Sequence, residues 1–337
     1  MIEDYKNVWV YIETEHGKAK SVGLELLNAG RGLLAENEKL IAILVGYNLL
    51  NAAEKAIEYG ADQAILVESA EYEDYNTDIF TSVFQQLIAI YKPSVVLFGA
   101  TSNGRDLAPR VACRLKTGLT ADCTNLSIDN ENGNVEWTRP TFGGNLMAVI
   151  TCPYSRPQMG TVRPGVFKKS TPDPERKGEI IYKSIDIPQK QIRTRLLEFI
   201  KYPSISSVNL EQAEIIVAGG RGMGNAENFT LLRDLASVMN AAIGASRVAV
   251  DSGWIDHIYQ IGQTGKTVSP KIYFACGISG SLQHLAGITS ADTIIAINHD
   301  PNAPIFKVAD FGIVGDLFKI IPAIIEKFDL NFIKKIY

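Results

Sequence analysis

An alternation of short apolar runs with amphipathic stretches limits the fold of this chain more than any other sequence feature. Four runs are rich in β-branched residues and apolar at almost every position: Val8–Ile12, Leu40–Val45, Ala64–Val67 and Val95–Phe98. Three stretches between them have the apolar spacing of helices: Ser21–Leu34, Leu50–Tyr59 and Thr77–Tyr91. Strands that are apolar on both sides and separated by helices indicate a parallel sheet covered on both faces. The sequence therefore predicts a doubly wound α/β fold.

The pattern changes after Ala121. From there to Arg163, turn-forming residues such as Asn132 and Gly133 separate strand-like runs, which predicts an antiparallel meander attached to the sheet. From Lys168 to about Ser207 the chain is rich in Pro, Lys, Arg and Ser, which indicates an edge strand followed by an exposed linker.

A second alternation follows the linker. Its candidate strands are Ile215–Val217, Arg247–Val250, Lys271–Ala275 and Thr293–Ile297, and its clear amphipathic helices are Asn228–Asn240 and Gly315–Lys327. We therefore predict two α/β domains, both with mainly parallel sheets. The first spans 1–190, the linker or hinge spans 191–208, and the second spans 209–337 and ends in a helical tail.

Charge and composition exclude several classes of protein. The 337 residues carry 33 basic and 37 acidic side chains, a balance that disfavours nucleic-acid binding through bulk positive charge. No apolar run approaches the ~18 residues of a membrane span, so no membrane insertion is expected. The acidic start is unlike a secretory or transit signal, and the four cysteines form no CxxC pair. We expect a cytoplasmic protein without a metal site.

Small and polar residues follow nearly every predicted strand of the second half. The loops are GGRGMGN at 219, GASR at 244, IGQTGKT at 261, GISGSLQH at 277 and NHDPNAP at 298. In open α/β sheets ligands bind outside the carboxyl ends of the strands, where small residues let backbone amides approach a phosphate. The loops therefore predict a site for a phosphate-bearing cofactor.

The two common nucleotide motifs do not fit these loops. With glycines at 220 and 222, the dinucleotide fingerprint GxGxxG requires a third glycine at 225, where the chain has Asn225. A Walker A motif ending at GKT would need glycine at 260, where the chain has Gln260. The earlier GATSNGR ends in Arg105 instead of Lys followed by Ser or Thr. A standard NAD site and a P-loop are both disfavoured.

Hydrolytic and metal chemistry have weaker signals still. The four histidines lack HExxH spacing, and GISGS lacks the last glycine of a nucleophile elbow. His284 could be a helix-terminal residue with a structural hydrogen bond. Arg247, at the start of a predicted apolar strand, could be a surface residue or could meet an anion or a π-system.

Read together, the segments of the second half resemble the alpha subunit of electron-transferring flavoproteins. The residues that carry the resemblance are GGRGMGNAENFTLLRDLA (219–236), GASRVAVDSGW (244–254), QIGQTGKTVSPKIYFACGISGSLQHLAGI (260–288) and IIAINHDPNAPIFKVADFGIVGDLF (294–318). In the first half they are GATSNGRDLAPRVACRLKTGLTADC (99–123), RPTFGGNLMA (139–148) and RPQMGTVRPGVF (156–167). Residues 1–95 match mainly in their strand–helix rhythm.

The resemblance implies a heterodimer with a beta subunit and a Rossmann-like C-terminal domain that binds FAD. The family's FAD-contacting positions fall on Arg221, Ser246, Arg247, Ile261, Gly262, Gln263, Thr264, Ser279, Gly280, Ser281, Leu282, Gln283, His284, Asn298, Asp316 and Leu317. Flavin chemistry belongs to the cofactor, so no residue needs to act as nucleophile or general base. The first domain would be a scaffold that contacts the beta subunit.

The same resemblance assigns roles to individual positions. His284 would donate to the O2 side of the flavin ring, Arg247 would lie over the ring, and Thr264 would meet N5. Ser279, Gly280, Ser281 and Gln283 would hold the pyrophosphate, and Asp316 a ribose hydroxyl.

Three functions remain open. The first is an electron carrier between an acyl-CoA dehydrogenase and a quinone-linked oxidoreductase. The second is a bifurcating flavoprotein that splits NADH electrons between an acyl-CoA dehydrogenase and ferredoxin or flavodoxin. The third is a nucleotide-binding regulatory protein without FAD. A yellow purified protein would exclude the third.

Overall fold

The computed structural model describes residues 2–129, 131–141, 146–198, 210, 213–288 and 291–333. The chain divides into two compact units, Met1–Ile200 and Lys201–Tyr337. Most of the predicted linker at 191–208 falls on 199–209, outside the described residues, so the linker and its hinge role stay predictions.

The first unit is built on a sheet whose central strands are buried throughout and whose edge strands are partly exposed. The strands of the whole unit are β1 (Val8–Tyr11), β2 (Thr14–Glu15), β3 (Lys18–Ala19), β4 (Leu40–Gly46), β5 (Gln63–Glu68), β6 (Val95–Gly99), β7 (Leu119–Cys123), β8 (Asn125–Ile128), β9 (Val135–Thr141), β10 (Leu146–Ile150), β11 (Gln158–Val162) and β12 (Glu179–Tyr182). Its helices are α1 (Ser21–Arg31), α2 (Leu50–Glu58), α3 (Thr77–Tyr91) and α4 (Ser102–Leu115).

Seven strands form one sheet in the order β12-β5-β4-β1-β6-β11-β7, with every neighbouring pair parallel. Alternate residues of β1 enter different clusters: Val8 and Val10 pack in one, and Trp9 and Tyr11 in the other. Both faces are therefore covered, as the apolar runs predict.

The two irregular segments match their predictions except at Gln158–Val162, where β11 belongs to the large parallel sheet instead of the predicted antiparallel meander. Strands β8, β9 and β10 form a three-stranded antiparallel sheet, which is the predicted meander. Its Trp137 packs directly against the backbone of Gly160 in β11, where a side chain would collide with the indole ring. β12 pairs with β5 at the edge of the large sheet, as predicted for the segment after Lys168.

The second unit repeats the strand–helix alternation on a smaller scale. Its strands are β13 (Ile215–Gly219), β14 (Ala242–Ala245), β15 (Ile272–Cys276), β16 (Thr293–Asn298) and β17 (Phe311–Val314). Its helices are α5 (Phe229–Met239), α6 (Arg247–Asp251), α7 (Leu282–Leu285) and α8 (Leu317–Ile333).

The second sheet is parallel, in the order β14-β13-β15-β16-β17. The chain passes from β13 to β14 on one side and then crosses to β15 on the other, so the strand order reverses between β13 and β15. This Rossmann-like arrangement confirms the predicted fold class, and a crevice at the reversal point is the usual ligand position of such sheets.

One predicted strand of the second unit is wrong. Arg247–Val250 is not a strand, because Arg247–Asp251 forms helix α6 after Ser246 in an extended conformation. The strand lies just before it, in the small residues Ala242–Ala245. Gly244 leaves the space there that Ile261 fills, so the site requires a small residue with weak intrinsic strand preference.

The C-terminal region differs from its prediction in two details. The sequence pattern indicates no strand at β17, and α8 runs from Leu317 to Ile333 where the sequence predicts Gly315–Lys327. Of the helices within the described ranges, none combines the length and apolar character that crossing a bilayer would need.

Candidate functional site

The loops after β13 and β15 meet at the reversal point of the second sheet. The Gly220 amide donates to the Cys276 carbonyl, and the Gly222 amide to the Gly277 carbonyl, each at 2.9 Å. A Cβ atom on Gly222 would lie 2.7 Å from the Gly277 Cα atom. The two backbones are thus in direct contact, which only glycine permits.

Two further loops are hydrogen-bonded to the same edge. The Ser246 amide donates to the Gly219 carbonyl and the Ile261 amide to the Ala245 carbonyl, each at 2.9 Å. Next to Ile261, Gly262 has a φ of 138°, and a Cβ atom there would lie 2.8 Å from the Gln283 carbonyl oxygen. The loop at 261–264 is therefore packed closely on helix α7.

The loop between β15 and α7 is fixed by its contact with the segment after β16. Gly280 has a φ of 84°, and a Cβ atom there would lie 2.6 Å from the Ile305 Cα atom. The Ile305 amide donates to the Ser279 carbonyl at 3.0 Å. The Asn298 amide group donates to the Ile278 carbonyl at 3.0 Å. All five loops that the sequence singles out thus meet at one edge.

His284 lies inside this cluster of loops and is almost fully buried. Its Nε2 atom is 2.9 Å from the Tyr273 hydroxyl, whereas Nδ1 is buried with no hydrogen-bond partner in the described part of the chain. Burial lowers the pKa of His284 to about 4, and the backbone of Ile261, a hydrogen-bond acceptor near the imidazole, opposes part of this shift. The imidazole is therefore neutral near pH 7, and it lies in a one-turn helix with only a small dipole.

Thr264 has a buried partner that leaves its proton available. The Gln260 side-chain amide donates to the Thr264 hydroxyl oxygen at 3.0 Å. Because this bond uses only an oxygen lone pair, the hydroxyl can still donate to a ligand. In the sequence Gln260 stands out only as the residue that breaks a Walker motif, and no sequence pattern indicates its contact with Thr264.

The two predicted arginines lie at the surface. Arg247 is the first residue of α6; its side chain is 67% exposed, and its Nε atom is 3.1 Å from the Asp251 carboxylate. Arg221 begins the turn Arg221–Met223 and is exposed. The expectation that Arg247 begins a buried strand is therefore wrong, although an exposed guanidinium beside the loops can still reach a ligand.

Four predicted residues use their side chains within the protein. Leu317 and Ile261 are buried in apolar clusters, so their backbones are the groups left to contact a ligand. The Asn298 side chain also accepts from the Asp300 amide at 3.1 Å. Asp316 accepts from the Phe318 amide at 2.9 Å, next to the first residue of α8.

The hydroxyls of Ser246 and Ser281 make no contact that caps the following helix within the described structure. Each serine precedes that helix in extended conformation. With the buried Nδ1 atom of His284 and the remaining proton of Thr264, the site offers several uncommitted polar groups beside glycine backbone. Donors of this kind fit the polar ring edge and the phosphates of a flavin nucleotide.

Comparison with known proteins agrees with this fit. Residues 8–187 match the family described as "Electron transfer flavoprotein domain", and residues 209–289 match "Electron transfer flavoprotein FAD-binding domain". The electron transfer flavoprotein subunit alpha of Thermoanaerobacterium thermosaccharolyticum is 50% identical over 97% of this chain and 98% of the relative. The chain belongs to the electron transfer flavoprotein alpha-subunit family. FAD is accordingly the cofactor of its second unit.

Two other relatives match along nearly their whole length. The electron transfer flavoprotein subunit alpha of Megasphaera elsdenii is 49% identical over 96% of this chain and 97% of the relative. The acryloyl-CoA reductase electron transfer subunit beta of Anaerotignum propionicum is 41% identical over 96% of each chain. Electron transfer is thus the activity of this family, and the sequence-based assignment to it is confirmed.

Proposed function

We propose that this electron transfer flavoprotein alpha subunit carries electrons from a flavin-dependent dehydrogenase, such as an acyl-CoA dehydrogenase, to a quinone-linked oxidoreductase. The observation that carries the proposal is the meeting of the five loops at one edge of the second sheet. The full-length similarity to an acryloyl-CoA reductase electron transfer subunit supports a CoA-linked partner. FAD supplies the capacity to take up and release electrons.

In this proposal different loops bind different parts of FAD. Ser279, Gly280, Ser281 and Gln283 bind the pyrophosphate, and Asp316 binds a ribose hydroxyl. The other predicted positions give backbone or side-chain contacts: Arg221, Ser246, Ile261, Gly262, Gln263, Leu282, Asn298 and Leu317. The positive φ of Gly280 and its close packing against Ile305 support this division, because they fix the conformation of the loop that carries Ser279 and Ser281.

Three side chains act on the flavin ring itself. We propose that neutral His284 donates from Nδ1 to the O2 side, where negative charge gathers on reduction. Thr264 donates to N5 while Gln260 holds its oxygen. Arg247 places a positive charge near the ring. Its attraction to negative charge on the ring becomes stronger when the bound cofactor excludes water from the guanidinium.

The alternative function, that of a bifurcating flavoprotein, is testable with NADH as the electron donor. If the chain belongs to a bifurcating heterodimer, anaerobic NADH should rapidly bleach two flavins per heterodimer, the second one held mainly by the beta subunit. A simple carrier should not react with NADH but should be reduced by an acyl-CoA dehydrogenase and its substrate. The measurement is an anaerobic spectral titration with each reductant, and failure of both would reject the proposed function.

The edge strand β17 supports a subunit interface. Phe311 is 63% exposed, and Ile313 and Val314 are also exposed, so apolar residues of both strand faces meet solvent. Among the described residues, β17 pairs with β16 on one side and with no strand on the other. A bare apolar edge strand is an aggregation hazard unless another chain covers it. We propose that the beta subunit does so.

We expect Phe311→Lys to weaken binding of the beta subunit by roughly 30-fold, as loss of an aromatic interface anchor typically does. Folding of the alpha chain should hold, since the exposed side chain contributes little to its core. Val238→Lys is the matched control, because Val238 is an exposed apolar residue on α5 in the same unit. Equal affinities of both variants in a titration with beta subunit would remove β17 from the interface.

The first unit acts, in our proposal, as a scaffold. The reversal point of its sheet lies between β1 and β6 and is occupied by Glu13, which is buried. The Glu13 carboxylate accepts from Lys20 at 2.7 Å, from Thr101 at 2.5 Å and from Asn103 at 3.1 Å. A carboxylate of the chain itself thus fills the position where a sheet of this kind would hold an anionic ligand.

A further inference from the structure

We infer that Tyr273 is a positioning residue for the cofactor site: its hydroxyl donates to Nε2 of His284 and thereby keeps the imidazole proton on Nδ1. The two atoms are 2.9 Å apart, and both side chains are buried. The structural part of this inference rests on the contact alone. Its effect on FAD rests on the proposed role of His284.

The direction of this hydrogen bond follows from what surrounds the phenol ring. Tyr273 lies in the apolar cluster of Ile216, Val268 and Ile288, and His284 is the partner its hydroxyl has among the described residues. If Nε2–H were the donor, the phenol proton would be left buried without an acceptor, which is costly. If the phenol donates, the proton of Tyr273 and the lone pair of Nε2 are both satisfied.

The phenol keeps its proton under all ordinary conditions. Burial raises the pKa of Tyr273 well above its usual value. Since His284 is neutral, its ring carries one proton only, and occupation of the Nε2 lone pair assigns that proton to Nδ1. Nδ1 is the buried atom that makes no hydrogen bond within the described ranges, and the Ile261 backbone beside the ring is an acceptor that a ligand would have to compete with for its proton. The pair therefore prepares a single N–H donor for a ligand acceptor.

The placement of the two residues is set by different elements. Tyr273 is the second residue of β15, and its partner lies in α7, after the turn that contains Gly277 and Gly280 in positive φ. A residue that merely filled the core could be replaced by phenylalanine without effect on the histidine. A residue that sets the tautomer could not, and this difference defines the test.

The test uses the FAD-loaded heterodimer with 15N-labelled histidine. Long-range 1H–15N spectra distinguish a protonated ring nitrogen from an unprotonated one. In the unaltered protein we expect Nδ1 of His284 to be protonated and Nε2 to be unprotonated. This part of the test needs no variant. In Tyr273→Phe we expect the proton to distribute over both nitrogens, the FAD dissociation constant to rise about 2- to 10-fold and the first-electron potential to fall. Tyr11→Phe, a buried tyrosine of the first unit, should change none of these.

The outcomes separate this inference from the proposed function. A proton on Nε2 in the unaltered protein, or an unchanged His284 spectrum in Tyr273→Phe, overturns the inference. If the spectra are as expected but His284→Gln alters neither FAD affinity nor potential, then the tautomer assignment stands and the proposed role of His284 at the flavin is wrong.

Discussion

Gly280→Ala is expected to raise the FAD dissociation constant by about 100-fold, which corresponds to roughly 2.8 kcal/mol of binding free energy, because the phosphate-binding loop must leave its position. Gly280 has a φ of 84°, which a residue with a Cβ atom adopts only with strain. Its Cβ atom would lie 2.6 Å from the Ile305 Cα atom, a backbone contact that cannot rotate away. The loop that carries Ser279 and Ser281 must therefore move.

Gly253→Ala separates this clash from backbone strain. Gly253 lies in the same unit with a φ of 74°, but a Cβ atom there would meet nothing within 4 Å. The Gly253→Ala protein should lose about 1 kcal/mol of folding stability, and its affinity for FAD should be unchanged. The measurement is flavin fluorescence in a titration of each purified heterodimer, with circular dichroism to verify folding. FAD affinity in Gly280→Ala equal to that of the unaltered protein would contradict the assignment of this loop to the pyrophosphate.

Arg247→Ala is expected to lower the potential of the first electron by about 60–130 mV. The range corresponds to loss of a charge-assisted interaction of about 1.5–3 kcal/mol for a one-electron step. Arg247 is exposed in the described structure, and its Asp251 partner is a surface ion pair of small energy. The guanidinium is therefore free to turn to a negatively charged flavin ring, and the full effect requires that the bound ring shields it from water.

The controls for Arg247 follow from its neighbours. Asp251→Asn removes the competing carboxylate and should shift the potential in the opposite direction or leave it unchanged. Ser281→Ala should weaken FAD binding with little change in potential, because it alters the phosphate side only. Spectroelectrochemistry of the reconstituted heterodimers measures all three. An unchanged first-electron potential in Arg247→Ala, with FAD fully bound, would remove the tuning role of this arginine.

The sequence alone determined the class of fold and the edge of the sheet that carries the site. Apolar runs such as Leu40–Val45 can be buried only on two covered faces, and the structure has both faces of β4 in the core. Gly-rich loops after successive parallel strands must meet, since the carboxyl ends of such strands share one edge. The family followed from the same loops, because their order and composition are specific.

Tertiary structure decided what depends on contacts between distant residues. The segment Arg247–Val250 reads as a strand from its own residues, yet the sheet takes Ala242–Ala245 because Ile261 requires the space above Gly244. The neutral state of His284 results from burial among elements that only the fold brings together. Its contact with Tyr273 likewise joins a strand to a helix across a turn, and no local pattern encodes where that turn directs the chain.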